Sequence, residues 1–228
     1  MEYTLSTILT ELSSMSDEKR KEFNRKQGVN DNQYGIPLGK FRPLAKKIKK
    51  NNPLAFQLWN TNNYEAMILA SMIFDPELLT ETDFETLIKS AYMHVLVDEL
   101  TLRTLGESPL AKKYMHQWMI QEDETYGRAG WNLAICLVQE DKLTNEELEF
   151  LLSDIVQNLK NAVPRKQEAM NRCLCEIGIR YDEYTARCIS LGEQIGVYKD
   201  LKVSKGCTSS YAPTWITVVR ANRMKMKK

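Results

Sequence analysis

Asn52-Pro53-Leu54-Ala55-Phe56-Gln57-Leu58-Trp59-Asn60-Thr61-Asn62-Asn63-Tyr64-Glu65-Ala66-Met67-Ile68-Leu69-Ala70-Ser71-Met72-Ile73-Phe74 reads as two helices in succession. Asn52 followed by Pro53 is the favoured opening of a helix, cap and then first-turn proline. Leu54, Leu58 and Trp59 recur at helical spacing and supply that helix with a core side. The second segment, Tyr64 to Phe74, is nearly all apolar, so it has to be covered on most sides, and Asp75-Pro76 ends it. A helix with one apolar face is therefore followed at once by a helix with little polar face.

Towards the N-terminus, Leu5, Ile8, Leu9 and Leu12 form a helical stripe starting at Thr4. Asp17 to Arg25 can form a very polar helix, and Gly28 to Gln33 ends it as a loop. Leu38, Phe41, Leu44, Ala45 and Ile48 then face inward from an amphipathic helix. Its other face carries Lys40, Arg42, Lys46, Lys47, Lys49 and Lys50 without an acid.

Towards the C-terminus, Thr82-Asp83-Phe84-Glu85 reads as a capping box leading to Phe84, Leu87, Ile88 and Ala91. Ser90 to Leu100 follows as a helix buried on most of its surface, after a break near Ser90, and places His94 and Asp98 on one face. Ser108-Pro109 caps a helix through Ala111, Tyr114, Met115 and Trp118. Tyr126 to Val138 is strongly apolar with Arg128 inside it. Thr144 to Glu147 is a second capping box, Pro164 opens a helix closing at Gly178, and Asp182 to Ile195 ends at Gly196. A loop over 202–210 and a short helix from Ala212 to Arg223 precede a basic end containing Arg220, Arg223, Lys225, Lys227 and Lys228.

No run alternates as a strand does. Helices of roughly ten to sixteen residues, paired at about forty residues, indicate an all-α fold of the HEAT-like repeat type, an α-solenoid of antiparallel helix pairs. A compact helical bundle is the alternative. We expect one HEAT-like domain over 1–228, with 1–33 as an atypical N-terminal cap and 202–228 as a C-terminal loop, short helix and basic tail.

The 228 residues are 43% hydrophobic and 27% charged, an ordinary globular composition, and the formal charge of +1 gives no global pull towards a polyanion. Any case for nucleic acid rests on local clusters such as Lys40, Arg42 and Lys46, which otherwise read as a solvated face. Five cysteines, an odd number without C-x-x-C spacing, argue against a disulfide framework and a zinc site. We expect no metal and no cofactor. The N-terminus lacks signal-peptide character and no stretch is long and apolar enough to span a bilayer, so a cytoplasmic protein without a membrane partner is expected, as a monomer.

Asp98, Arg128 and Arg172 are polar residues set in apolar helices. Such a carboxylate can stabilise a developing cation or orient water, and the arginines can hold phosphates. An Asp–Arg ion pair tying one repeat to the next is the other reading. His94 is a core histidine or a catalytic one, and the four tryptophans, at 59, 118, 131 and 215, read as core anchors.

The segment Tyr34-Gly35-Ile36-Pro37-Leu38-Gly39-Lys40-Phe41-Arg42-Pro43-Leu44-Ala45-Lys46-Lys47-Ile48, then Leu58-Trp59, Asp75-Pro76, Arg128-Ala129-Gly130-Trp131 and Ile177-Gly178, resembles the DNA alkylation repair family, the AlkD-like HEAT-repeat DNA glycosylases. Val203 to Ser209 and Ala212-Pro213-Thr214-Trp215-Ile216 resemble a divergent branch of it. The resemblance implies a C-shaped superhelix holding duplex DNA in a concave basic groove. Active members hydrolyse the N-glycosidic bond of cationic N3/N7-alkylated purines without a base-flipping pocket. The family's catalytic Asp falls on Asp98 and its phosphate-binding Arg on Arg128. The Trp that packs on the sugar is replaced by His94, and a second groove Trp by Arg172. The polar stretch from Arg25 to Gln33 stands where the enzymes have an apolar-faced second helix. The implied function is binding of duplex or structured DNA with weak or lost glycosylase activity. The alternative is an active glycosylase with Asp98 as electrostatic catalyst, and the resemblance leaves open whether the chain is an enzyme.

Overall fold

A computed structural model describes residues 3–226, and these contain thirteen α-helices and no strand. They group into two compact units, Met1–Leu110 and Ala111–Lys228.

In the first unit, α1 (Leu5–Ser14) starts at a capping box. The Thr4 hydroxyl accepts from the Thr7 N–H at 3.3 Å, and the Thr7 hydroxyl accepts from the Thr4 N–H at 2.9 Å. The polar segment forms a real helix, α2 (Glu18–Lys26), capped by Asp17. A 3-10 turn over Leu38–Lys40 precedes α3 (Phe41–Ile48), so Leu38 lies outside the amphipathic helix and is 40% exposed rather than inward. Phe41, Leu44 and Ile48 carry the burial of α3.

The cap of α4 (Asn52–Trp59) is Asn51, whose side chain accepts from the Leu54 N–H at 3.1 Å. This moves the start one residue before the Asn52-Pro53 reading and puts Pro53 second, where its missing N–H still costs nothing. Next, α5 (Tyr64–Ile73) is buried at every position except Met72. It packs against α3, α4 and α7, whose range is given below. Each fully buried Met, Ile or Leu on it contributes about 1.5–3 kcal/mol.

Glu65 is fully buried in this apolar helix and is neutralised by geometry. Its carboxylate accepts the N–H groups of Tyr34 (2.7 Å), Gly35 (2.7 Å) and Ile36 (3.1 Å). Gly35 has φ 75°, and a Cβ there would collide with the Asp17 carbonyl and the Lys21 backbone. The Tyr-Gly-Ile segment is thereby clamped between α2 and α5 immediately ahead of the basic helix.

The box at the head of α6 (Glu81–Ser90) is Thr80 with Asp83, two residues before the one read from sequence. Asp83 accepts the Thr80 N–H at 2.8 Å. Ala91-Tyr92-Met93 then breaks the chain and α7 (His94–Arg103) begins, so Ser90 to Leu100 is not one helix. Leu96, Val97, Leu100 and Thr101 are the buried residues of α7; the rest of it is half-buried or exposed.

The second unit is built around two inner helices. A short outer helix, α8 (Ala111–Met119), covers α9 (Glu124–Gln139), which buries Gly127 to Val138 without interruption. Gly130 permits the approach, since a Cβ would collide with the backbone of Trp118 and Met119. The Thr144–Glu147 box opens α10 (Asn145–Asn158) as expected. The second inner helix, α11 (Pro164–Arg180), has proline at its first position. It runs through Gly178 to Arg180 instead of closing there, and packs on α9. The αL residue Gly196 caps α12 (Asp182–Ile195), and α13 (Ala212–Met226) extends beyond Arg223 and packs against α11 and α12.

Candidate functional site

His94 is the first residue of α7 and Asp98 lies one turn later on the same face; both are half-buried. The chain enters α7 through Met93 in an extended conformation without a side-chain cap, so the first N–H groups of the helix are left for other partners. Two phenols belong to the same region of this unit. Burial and the nearby Glu65 push Tyr64 up to about 12, against the pull of Arg20. Burial, then Tyr64 and Glu65, push Tyr92 higher still, although its side chain is 40% exposed. Both therefore stay protonated and can donate a hydrogen bond. On α2, Arg20 lies 4.7 Å from the ring centre of Phe23, which is itself half-exposed.

Lys40, Arg42 and Lys46 are exposed, as are Lys47, Lys49 and Lys50, and among the described residues none of the six is in an ion pair. They form a patch of their own along α3, with the apolar side of that helix anchoring it to α5.

In the second unit, Arg128 and Arg172 come together. Both line a cavity of about 260 Å³, with Asn132, Asn171, Tyr198 and Trp215 among its other walls. Arg128 projects from the second turn of α9, and its side chain is only 11% exposed. Its Nη1 donates to the Arg165 carbonyl (2.8 Å) and to Glu168 Oε2 (2.8 Å). The other oxygen of Glu168 accepts from Arg165 Nη1, also at 2.8 Å. One carboxylate on α11 thus serves two guanidiniums, while Arg172, one turn further along α11, forms no ion pair among the described residues. Arg128, Arg172 and Glu168 thus meet on one half-buried wall.

A loop closes the cavity. The Asn171 side chain donates to the Ser210 carbonyl at 2.8 Å, tying the far end of the loop to α11. At its near end Tyr198 has φ 64°, a left-handed backbone rarely adopted by a residue with a bulky side chain. Burial and Glu168 raise the Tyr198 phenol, while Arg128 and Arg165 act against them.

Sequence reasoning missed Tyr198, Asn132 and Asn171, and it misassigned Trp215. Three tryptophans, Trp59, Trp118 and Trp131, are core residues as expected, but Trp215 is half-buried and faces the cavity. Its position after Ala212-Pro213 at the head of a helix marked a surface as readily as a core. The C-terminal basic cluster is partly spent inside the unit: Arg220 donates to the Ile179 carbonyl (3.0 Å) and pairs with Asp182 (2.5 Å). Lys227 and Lys228 lie outside the described residues.

An uncharacterized protein of Listeria innocua is 22% identical over 96% of this chain and 97% of its own length. An uncharacterized protein of Listeria monocytogenes is 20% identical over 98% and 99%. A solved structure superimposes with a TM-score of 0.84 at 26% identity, over 97% of this chain and 95% of that one. It is described as representing a new family of proteins related to the HEAT-like repeat DNA glycosylases, with affinity for branched DNA structures. The fold is accordingly of the HEAT-like repeat type. Residues 8–205 match the family described as DNA alkylation repair enzyme, and the chain belongs to that family.

Proposed function

We propose that this protein binds DNA by structure, with branched or otherwise distorted DNA as the preferred form, and that its glycosylase activity is weak or lost. The observation that carries this reading is the cavity of the second unit, whose wall brings the guanidinium-bearing residues Arg128 and Arg172 together with Glu168. Phosphate oxygens are the acceptors such guanidiniums suit. Lys40, Arg42 and Lys46 add a sequence-independent electrostatic contact on α3. The affinity of the structural neighbour's family for branched DNA supports the choice of DNA form.

The loss of activity follows from the replaced aromatics. An oxocarbenium-like sugar is stabilised by a carboxylate close to it and by ring faces along it. Here Asp98 is retained, but His94 and Arg172 stand where the enzymes of the resemblance carry tryptophan. Neither an imidazole nor a guanidinium offers the broad aromatic face of an indole, so each replacement removes a ring face that the resemblance implies for the enzymes.

The test is a titration of labelled duplex, gapped and four-way-junction DNA at two salt concentrations, with release of free base from DNA containing 7-methylguanine measured in parallel. Salt-sensitive binding that favours the junction, with no base release above background, is expected. Equal affinity for duplex and junction refutes the structural preference. A second reading, an active glycosylase for cationic N3/N7-alkylated purines, is motivated by the retained, half-buried Asp98. It requires base release that Asp98→Asn abolishes.

A further inference from the structure

We propose that the cavity of the second unit receives a single unpaired nucleobase, held between the rings of Tyr198 and Trp215 while Arg128 and Arg172 hold the flanking phosphates. This deepens the DNA-binding reading above and rests on it. Three features of the cavity converge on that ligand. Its volume of about 260 Å³ lies just below the ~300–1,000 Å³ of sites for drug-sized molecules and far above the ~30 Å³ share of one water, the scale of one heterocycle. Its walls combine the three chemistries a nucleotide needs: aromatic faces, guanidiniums, and the carboxamides of Asn132 and Asn171 for base edges. Among the described residues, neither Tyr198 nor Trp215 packs on another aromatic ring.

The backbone at Tyr198 adds an independent argument. A turn that needs a left-handed residue is ordinarily filled by Gly or Asn, and Gly196 does this two positions earlier with φ 72°. At φ 64° a tyrosine is strained, so the position is explained by what its ring does rather than by the turn. Leu201, in the same loop, is half-exposed and also lines the cavity, the kind of apolar side chain that wedges an unstacked step open. A branch point supplies such a base at little cost, because bases there are already unstacked or unpaired.

The experiment uses the full chain and two four-way junctions, one fully paired and one carrying an unpaired 2-aminopurine at the branch. Binding is expected to change the 2-aminopurine emission through stacking, and to favour the unpaired junction by about tenfold, the scale of one base–aromatic stack. Tyr198→Gly relieves the backbone strain while removing the ring, and should abolish both the emission change and the preference in a protein that is still folded by circular dichroism. Tyr198→Phe should retain both. Junction binding with an emission unchanged by protein, or one that Tyr198→Gly leaves intact, overturns the inference and spares the DNA-binding reading. Absence of any salt-sensitive binding to either junction overturns both.

Discussion

Replacing Glu65 tests how the basic helix is held in place. In Glu65→Gln the side-chain oxygen can still accept from Gly35 and Ile36, but the amide nitrogen meets the Tyr34 N–H, donor against donor. One buried N–H is then orphaned, at about 1–3 kcal/mol, and two charge-assisted bonds become neutral ones of roughly half the strength. A loss of about 2–4 kcal/mol follows. In Glu65→Ala all three donors are orphaned around a cavity, which at the same rate costs about 3–9 kcal/mol, a large part of the ~5–15 kcal/mol that holds a typical domain together. Urea unfolding followed by circular dichroism is the assay. With a slope near 3 kcal/mol/M, at the upper end for a chain of this length, the Gln variant should unfold about 1 M earlier at unchanged slope. A Gln shift below about 0.3 M, or an Ala variant no worse than Gln, would refute the idea that this carboxylate clamps the 34–36 segment. The functional corollary is that weakened DNA binding through Lys40, Arg42 and Lys46 should accompany the loss of stability, because the clamped segment leads directly into α3.

Three other expectations can be checked separately. Arg42→Gln combined with Lys46→Gln should lower the slope of log affinity against log salt by about 1.8, at roughly 0.9 per lost phosphate contact; an unchanged slope removes this patch from the interface. Burial works against ionisation of Glu147, yet the Thr144 N–H and the Lys112 ammonium hold its carboxyl below the ordinary 4.5. A depressed folded pKa adds stability that is complete above 4.5 and lost as pH falls through the folded value, so Glu147→Gln should flatten melting temperature against pH on the acid side of 4.5. Of the five cysteines only Cys207 is exposed, while burial raises Cys173 and Cys175 and pushes Cys188 up to about 12. A thiol reagent at neutral pH should therefore label one thiol rapidly in native protein and five after unfolding.

The helices were legible because their signals are local. Caps and apolar stripes act within one or two turns, so Thr144 to Glu147, Gly196 and the uninterrupted burial of α9 could be read directly. Errors arose where two local signals competed. Thr80 and Thr82 both precede acids at capping distance, and the local pattern does not distinguish between them. The site was less legible because its parts are distant in sequence. Arg128 and Arg172 stand out as charges in apolar helices, but nothing local announces Glu168 as the partner of Arg128, forty residues away. Tyr198 was invisible for a different reason: a left-handed tyrosine leaves no trace in composition, and its place on the cavity wall depends on residues distant in sequence.

Within its unit Arg128 is tied to Glu168 and to the Arg165 carbonyl and at the same time lines the cavity, so a structural ion pair does not by itself exclude a binding role. Glu168 holds the guanidinium in place with one oxygen while its other oxygen accepts from Arg165, so Arg128 is fixed in orientation. An arginine fixed in this way loses less side-chain entropy on meeting a phosphate than one that must first be ordered. Arg172, unpaired among the described residues, is a further cation on the same wall. On the function proposed above, arginine at 172, where the resemblance implies a second groove tryptophan, does not merely delete a ring contact: it gives the cavity wall a cation suited to the backbone of a distorted DNA.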